Sequence, residues 1–199
     1  MRPLQRALEA SDYVVLNCGY RSRSADIATL ARDVAHRVSQ WEPGAKLDFV
    51  THSLGGILVR AALAYGHLPR ERVRRVVMLG PPNAGSEVVD AFQAIPIVAR
   101  IYAALTGPAG TQLGTKASGL PAQLPPVDFE LGVIAGNRSF NPLFSAILGA
   151  ENDGKVRVDR TGVEGMRQVL VVAHWHPLLV SAPSVVQQVV QFLETGAFR

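Results

Sequence analysis

The sequence predicts an α/β fold built on a mostly parallel sheet with helices on both faces. Short apolar runs rich in β-branched residues alternate along the chain with segments whose apolar residues recur at helical spacing. The apolar runs are hydrophobic throughout, as in strands that helices cover on both sides. With 199 residues, 48% of them hydrophobic, the chain can build one globular core. We therefore expect a single domain over residues 1–199.

The first quarter of the chain predicts a helix, a strand, a second helix and a second strand. Residues 2–10 have the pattern of a short helix, and the β-branched run at 13–18 predicts a buried strand. Apolar residues at helical spacing over 24–41 predict an amphipathic helix that ends before Pro43 and Gly44. Residues 47–50 predict the next buried strand, which leads directly into another helix.

The remaining chain predicts three more strands and an insertion between the first two of them. Strands are expected at 73–79, 129–135 and 169–173, with a weak helix at 141–148 and a closing helix at 184–193. The region 87–126 interrupts this rhythm with a helical pattern broken at Pro96 and a stretch rich in Gly and Pro. We interpret it as a small cap or lid over the site, and a long surface loop without catalytic consequence is the alternative.

The apolar residues of this insertion allow two interpretations. They recur at helical spacing and comprise Ile95, Ile97, Val98, Ile101, Tyr102 and Leu105. Such a stripe can line an acyl groove beneath the cap, or it can pack the cap onto the core. We expect core packing.

The turn at Thr51-His52-Ser53-Leu54-Gly55-Gly56 is the most informative motif. It joins a predicted strand to a predicted helix, as a nucleophile elbow does, and Ser53 stands at the strained position. Such a turn lifts a serine hydroxyl out of the sheet and points the first free main-chain N–H groups of the helix at a developing oxyanion. Because Thr51 stands where that motif has its first glycine, a plain helix N-cap is the alternative.

Two later segments offer the base and the acid that a serine nucleophile needs. Asp153 lies in a sharp polar turn that we expect to follow a strand, and His174 and His176 follow the last predicted strand. A histidine takes the serine proton and returns it to the leaving group, while a carboxylate holds the histidine tautomer. A plain hairpin turn at Asp153 and a structural role for either histidine are the alternatives.

Composition argues against several other functions. The single cysteine, Cys18, cannot form an internal disulfide, and its apolar neighbours favour a strand residue over a catalytic thiol. Much of the net charge of +4 comes from arginines at 70–75, which lack interleaved aromatic residues or a nucleic-acid motif. We therefore expect no nucleic-acid partner. The pattern contains no metal or cofactor motif, and the oligomeric state is left open.

The sequence lacks an obvious membrane or export signal. No apolar run is long enough to span a bilayer, so stable membrane insertion is not expected. The amphipathic N-terminal segment lacks the apolar core of a signal peptide. The expected location is the cytoplasm.

Several segments together resemble a family of small bacterial α/β-hydrolases related to lipases and esterases. These are LDFVTHSLGG, MLGPPNAGSEVVD, GPAGTQLG, GVIAGN, NDGKVRVDRTGVEGM and FLETGAF, which span nearly the whole chain. The order Ser, Asp, His is also that of α/β-hydrolases. The resemblance implies Ser53 as nucleophile, Asp153 as acid, His176 as base and the Leu54 N–H as one oxyanion donor. His176 is preferred to His174 for its spacing to Phe192.

The resemblance implies hydrolysis of a small-molecule or lipid carboxylic ester through an acyl-enzyme, without metal or cofactor. It also implies a departure. Similar hydrolases begin with a strand that ends in a His-Gly loop, and this loop donates the second oxyanion N–H. The given sequence starts after the matching position, so we expect it to lack that strand and loop. We expect residues 13–18 and 47–50 either to pair directly or to leave a gap. The alternatives are an impaired or non-catalytic remnant, and an acyltransferase or amidase that uses the same triad.

Overall fold

The computed structural model describes residues 1–140 and 142–199, and a four-stranded parallel sheet forms its centre. The strands are β1 (Leu47–His52), β2 (Val73–Leu79), β3 (Glu130–Gly136) and β4 (Gln168–Val172), side by side in chain order. Each parallel pair requires a crossover, and helices supply these connections. The predicted α/β fold with a mostly parallel sheet is confirmed.

The helices lie at or near the predicted positions. They are α1 (Arg2–Glu9), α2 (Ile27–Trp41), α3 (Leu54–Ala64), α4 (Glu87–Gln93), α5 (Pro96–Thr111), α6 (Leu120–Gln123), α7 (Pro142–Leu148) and α8 (Pro183–Thr195). The weak helix predicted over 141–148 is α7, which is described from Pro142 to Leu148. Residue 141 lies outside the described part of the chain. Among the described residues, no helix is long and apolar enough to cross a membrane.

Alternate residues of the strands enter two separate apolar layers. In β2, Val76 and Met78 contact the layer beneath α2 and α3, while Val77 and Leu79 contact the layer beneath α1 and α8. This alternation follows from the two-residue period of a strand. Both layers are fully buried at β2, which explains why the strand is apolar along most of its length.

Residues 13–18 do not form the predicted strand. They pair with no strand in the described part of the chain, and an open groove of about 340 Å³ separates them from the outer edge of β1. We call it the β1 groove. Its walls include Leu4 and Leu8 of α1 and Val34 and Val38 of α2. A β-branched run needs a neighbouring strand to form a ladder of hydrogen bonds. Of the two expected outcomes, direct pairing with β1 or a gap, the structure has the gap.

The segment between β2 and β3 contains α4, α5 and α6. Helix α5 begins at Pro96 and continues beyond the predicted helical pattern, with a kink at Gly107. Tyr102 is half-buried against Phe92 of α4, whereas Ile97 and Ile101 face solvent. The expectation that the whole apolar stripe packs onto the core is therefore wrong. A helical period shows that one face is apolar but does not show what covers it.

Candidate active site

Ser53 occupies a strained turn between β1 and α3. Its backbone has φ 54° and ψ −124°, a left-handed conformation that costs a non-glycine residue about 1–3 kcal/mol. The Ser53 N–H donates to the Leu79 carbonyl oxygen at 2.9 Å, so β2 holds the turn in place. The Ser53 side chain makes no capping hydrogen bond to the described residues of α3, which does not support the plain N-cap alternative.

The first turn of α3 begins directly after Ser53. Leu54 is its first residue, and N–H groups in a first helical turn have no intrahelical carbonyl to donate to. A Cβ on Gly55 would lie 3.4 Å from the Thr51 Cβ and 3.6 Å from the Tyr20 hydroxyl oxygen. Glycine at 55 thus leaves room for threonine at 51. Burial raises the pKa of Tyr20 to about 12, so this hydroxyl keeps its proton at neutral pH.

Asp153 and His176 form a buried hydrogen-bonded pair. The His176 Nδ1 lies 2.6 Å from the Asp153 Oδ2, and the two side chains are 2% and 1% exposed. Asp153 Oδ1 accepts the N–H groups of Lys155 and Val156 at 3.0 and 2.9 Å, and the His176 N–H donates to the Asp153 carbonyl at 2.9 Å. The turn follows α7 rather than a strand and is closed by a bridge between residues 152 and 157. The carboxylate therefore holds Nδ1 and fixes the orientation of the imidazole.

The Nε2 atom of His176 has no hydrogen-bond partner within residues 1–140 and 142–199, although it is buried. A buried polar atom left unpaired costs about 1–3 kcal/mol. Within the described residues, no hydrogen bond joins the Ser53 hydroxyl to Nε2 of His176. Hydrogen bonds between catalytic groups are often long in unliganded enzymes.

The second histidine has a different partner. The His174 Nε2 lies 3.2 Å from the Ser184 hydroxyl oxygen at the start of α8. The structure thus brings His176, and not His174, to Asp153.

His52 is a residue of the site that the sequence analysis missed. Its ring centroid lies 4.6 Å from that of His176, and its Nε2 donates to the His176 carbonyl oxygen at 3.1 Å. Burial, followed by the positive charge that His176 can carry, lowers the pKa of His52 to about 4. His52 is therefore neutral at neutral pH and links the Ser53 turn to His176. Its position beside Ser53 was the only sequence signal, since the direction of its ring depends on the turn.

Two glycines at the ends of neighbouring strands make room for the buried pair. A Cβ on Gly80, after β2, would lie 2.9 Å from the Asp153 Oδ2 and 3.0 Å from the His176 Nδ1. A Cβ on Gly136, the last residue of β3, would lie 2.9 Å from the Asp153 Cβ. Glycine at a strand end often marks such a close approach, and this was a signal available in the sequence.

Arg60 joins the helix behind Ser53 to two other segments. It is buried on α3 and donates to the Asn83 carbonyl at 3.0 Å and to the Leu124 carbonyl at 3.2 Å. Burial lowers its pKa to about 10, which still leaves the guanidinium charged at neutral pH. The contact stabilises α3 against the loop after β2 and the chain after α6.

The structure describes no group of three or more His, Cys, Asp or Glu residues that could hold a metal ion, within residues 1–140 and 142–199. The site consists of side chains and main-chain N–H groups. It brings together a buried carboxylate–imidazole pair and, beside it through His52, a serine in a strained turn.

A family model described as "Domain of unknown function (DUF7379)" matches residues 2–120. No curated protein matches the sequence.

Solved structures of lipases and esterases resemble this chain in fold. The propeptide form of Bacillus licheniformis lipase BlEst2 matches with a TM-score of 0.66 and 19% identity, over 87% of this chain and 41% of that one. Phospholipase PlaB from Legionella pneumophila matches with a TM-score of 0.69 and 15% identity, over 98% of this chain and 55% of that one. The metagenomic carboxyl esterase MGS0156 matches with a TM-score of 0.56 and 21% identity, over 78% and 53%. The fold is that of the α/β-hydrolases, and the chain spans about half or less of these three proteins.

Proposed function

The chain belongs to the family described as "Domain of unknown function (DUF7379)", and we propose from the residues of the site that it is a serine hydrolase that cleaves carboxylic esters. The proposed roles are Ser53 as nucleophile, His176 as base, Asp153 as the acid that orients it, and the Leu54 N–H as an oxyanion donor. One observation carries the proposal. A buried carboxylate–imidazole pair, bonded at 2.6 Å, keeps a free Nε2 while His52 connects its ring to the strained serine turn.

The chemistry follows from these positions. The Ser53 Oγ attacks the ester carbonyl carbon while His176 Nε2 takes the hydroxyl proton. The Leu54 N–H donates to the carbonyl oxygen as it becomes negatively charged. When the intermediate collapses, His176 gives the proton to the departing alcohol and leaves an acyl-Ser53 ester. Water then attacks this ester, His176 accepts its proton, and the carboxylic acid leaves as Ser53 regains a proton.

The position of Asp153 supports this assignment. Its Oδ2 bonds Nδ1 of His176, so the imidazole proton sits on the side away from the reacting groups. Its Oδ1 is held by two main-chain N–H groups, which prevents the carboxylate from turning away. A carboxylate in this position stabilises the imidazolium that forms during the attack.

A fluorophosphonate probe tests the proposal directly, because it reacts with an activated serine without the need for the natural ester. We expect mass spectrometry to find the adduct on Ser53, with Ser53→Ala unlabelled and a p-nitrophenyl ester turned over. Labelling of the Ser53→Ala variant, or no labelling of the parent chain, would contradict the proposal.

An impaired or non-catalytic hydrolase fold is the second candidate, and the β1 groove favours it. The groove borders the strand that carries Ser53, so one edge of the elbow strand has no neighbouring strand in the described structure. In that case the probe leaves Ser53 unmodified while the protein stays folded. Acyltransferase activity, which the same triad allows, would give transfer products when alcohols or amines are added to the ester assay.

A further inference from the structure

The chain after β2 lies between two parts of the candidate site. It forms a loop at residues 80–86, which we call the β2 loop. On one side, a Cβ on Gly56 in the first turn of α3 would lie 3.2 Å from the Pro81 Cβ. On the other side, a Cβ on Gly80 would lie 2.9 Å from the Asp153 Oδ2. The β2 loop therefore contacts both the nucleophile helix and the segment that carries the carboxylate.

That segment, residues 153–161, is called the Asp153 loop below. Three donors of the β2 loop bind main-chain carbonyl oxygens of the Asp153 loop. They are the Asn83 Nδ2 to Thr161 at 2.8 Å, the Ala84 N–H to Arg160 at 2.9 Å and the Ser86 hydroxyl to Lys155 at 2.8 Å. Hydrogen bonds to the main chain fix the path of a loop whatever its side chains do. The Asp153 loop is thus held along its length by the β2 loop.

The side chain of Asn83 contacts α3 as well. Its Oδ1 accepts a hydrogen bond from the Arg60 guanidinium at 3.3 Å, and its carbonyl oxygen accepts another at 3.0 Å. One amide group therefore accepts from α3 through its oxygen and donates to the Asp153 loop through its nitrogen. Asn83 and Arg60 are 3% and 4% exposed. Burial strengthens these hydrogen bonds, because little water competes for them.

The Arg60 guanidinium has a fixed position. Its Nη2 donates to the carbonyl oxygens of Leu124 and Pro125 at 3.2 and 3.3 Å. The N–H groups of a guanidinium form a rigid, planar fork, so several fixed acceptors together define its orientation. Arg60 therefore sets the place of Asn83 relative to α3.

We propose that Asn83 is a positioning residue, which holds Asp153 and the His176 bonded to it in place relative to α3. It acts through hydrogen bonds and takes no part in bond making or breaking. The inference rests on the proposed function for its consequence, because a displaced base takes the serine proton less efficiently. The positioning itself can be measured without any activity.

Asn83→Asp separates the two contacts of this side chain. A carboxylate keeps an acceptor for Arg60 but loses the N–H that donates to the Thr161 carbonyl. We expect amide hydrogen exchange, measured by mass spectrometry, to rise on the order of 10-fold in the Asp153 loop and to stay unchanged in α3. For a p-nitrophenyl ester, kcat should fall about 10-fold while KM changes less than about 2-fold.

Val189→Ala provides the matched control. Val189 is fully buried on α8, in the apolar layer beneath α1 and α8 and away from Arg60. The change should destabilise the fold by emptying space in the core. It should leave both the exchange of the Asp153 loop and kcat as they are in the parent, because it does not touch the hydrogen bonds of Asn83.

Unchanged exchange in the Asp153 loop of Asn83→Asp, or faster exchange with an unchanged kcat, overturns the proposal. An equal loss of kcat in Val189→Ala also overturns it, since the effect would then follow from stability. If the parent hydrolyses no ester, the proposed function fails, and the exchange result alone decides the positioning. If Asn83→Asp does not fold, Asn83→Ser is measured in the same way, and failure of both to fold overturns the proposal.

Discussion

The two sides of the sheet behave differently although similar residues build them. On the paired side, β2 and β3 lie between neighbouring strands, and their apolar side chains are buried in both layers. On the open side, β1 has one partner strand, and residues 13–18 line the far wall of the β1 groove without a ladder. The comparison shows that apolar, β-branched composition makes a strand only where a neighbour completes its hydrogen bonds.

The candidate site spans both sides. Asp153 and His176 pack against the strand ends of the paired side, where Gly80 and Gly136 make room for them. Ser53 and His52 lie at the end of β1, on the open side. His52 helps to join them, because its ring lies beside that of His176 and its Nε2 donates to the His176 carbonyl oxygen. Substitutions on each side can therefore be compared by two measurements, the rate of reaction at the site and the free energy of unfolding.

The largest expected effect is that of Ser53→Ala. Removing the hydroxyl should lower ester hydrolysis on the order of 10⁵-fold or more, because no covalent intermediate can form. The free energy of unfolding should change little, because the Ser53 side chain makes no capping hydrogen bond that alanine would remove. Steady-state hydrolysis and a urea titration measure the two quantities. Activity that survives would remove Ser53 from the mechanism.

His176→Ala should lower the rate on the order of 10³-fold or more. His174→Ala, the matched control, should change it less than about 3-fold, because His174 contacts Ser184 rather than Asp153. Rates of fluorophosphonate labelling at a fixed pH measure both. The opposite ranking of the two variants would move the base to His174.

Acid should destabilise the fold through His52. Its pKa is about 4 in the folded protein and about 6.5 when unfolded, so the unfolded chain binds more protons between these values. The contribution is fully present above pH 6.5 and is lost as the pH falls toward 4, up to about 3 kcal/mol. Urea titrations across this pH range measure it. His52→Gln removes the titrating group, and an unchanged pH dependence in that variant would refute the assignment to His52.

Core substitutions compare the two sides directly. Val77→Ala on β2 should lower the free energy of unfolding by about 2 kcal/mol, because it empties space in a fully buried layer. Val14→Ala on the open side should change it by less than about 0.5 kcal/mol, since Val14 is 79% exposed. Paired urea titrations provide both values. Equal losses would mean that residues 13–18 pack more tightly than the structure shows.

The smallest expected effect concerns the contact between the two sides. His52→Phe keeps a ring beside His176 but loses the N–H that donates to the His176 carbonyl, and the labelling rate should fall about 10-fold. His52→Gln, which restores a donor, should recover most of the rate. Failure of glutamine to recover it, with the protein folded, would show that the ring and not the hydrogen bond positions His176.

Local patterns in the sequence were sufficient for most of the fold. The strand at 73–79 and the helix after Ser53 appear where the apolar spacing predicts them, because period and length depend on near neighbours. The turn at Ser53 was also predictable, since a strand, a small-residue turn and a helix are consecutive in the chain. The polar turn at Asp153 was visible as a turn, but its burial was not.

Tertiary structure decided which groups meet. Asp153 and His176 are 23 residues apart, and only the folding of β4 beside β3 brings them within 2.6 Å. Tertiary contacts also decided three other features: the direction of the His52 ring, the outward apolar face of α5 and the missing ladder at residues 13–18. A sequence determines the preference of each segment for helix, strand or turn through local energies. Burial and pairing depend on a partner from elsewhere in the chain, and that partner exists only in the folded protein.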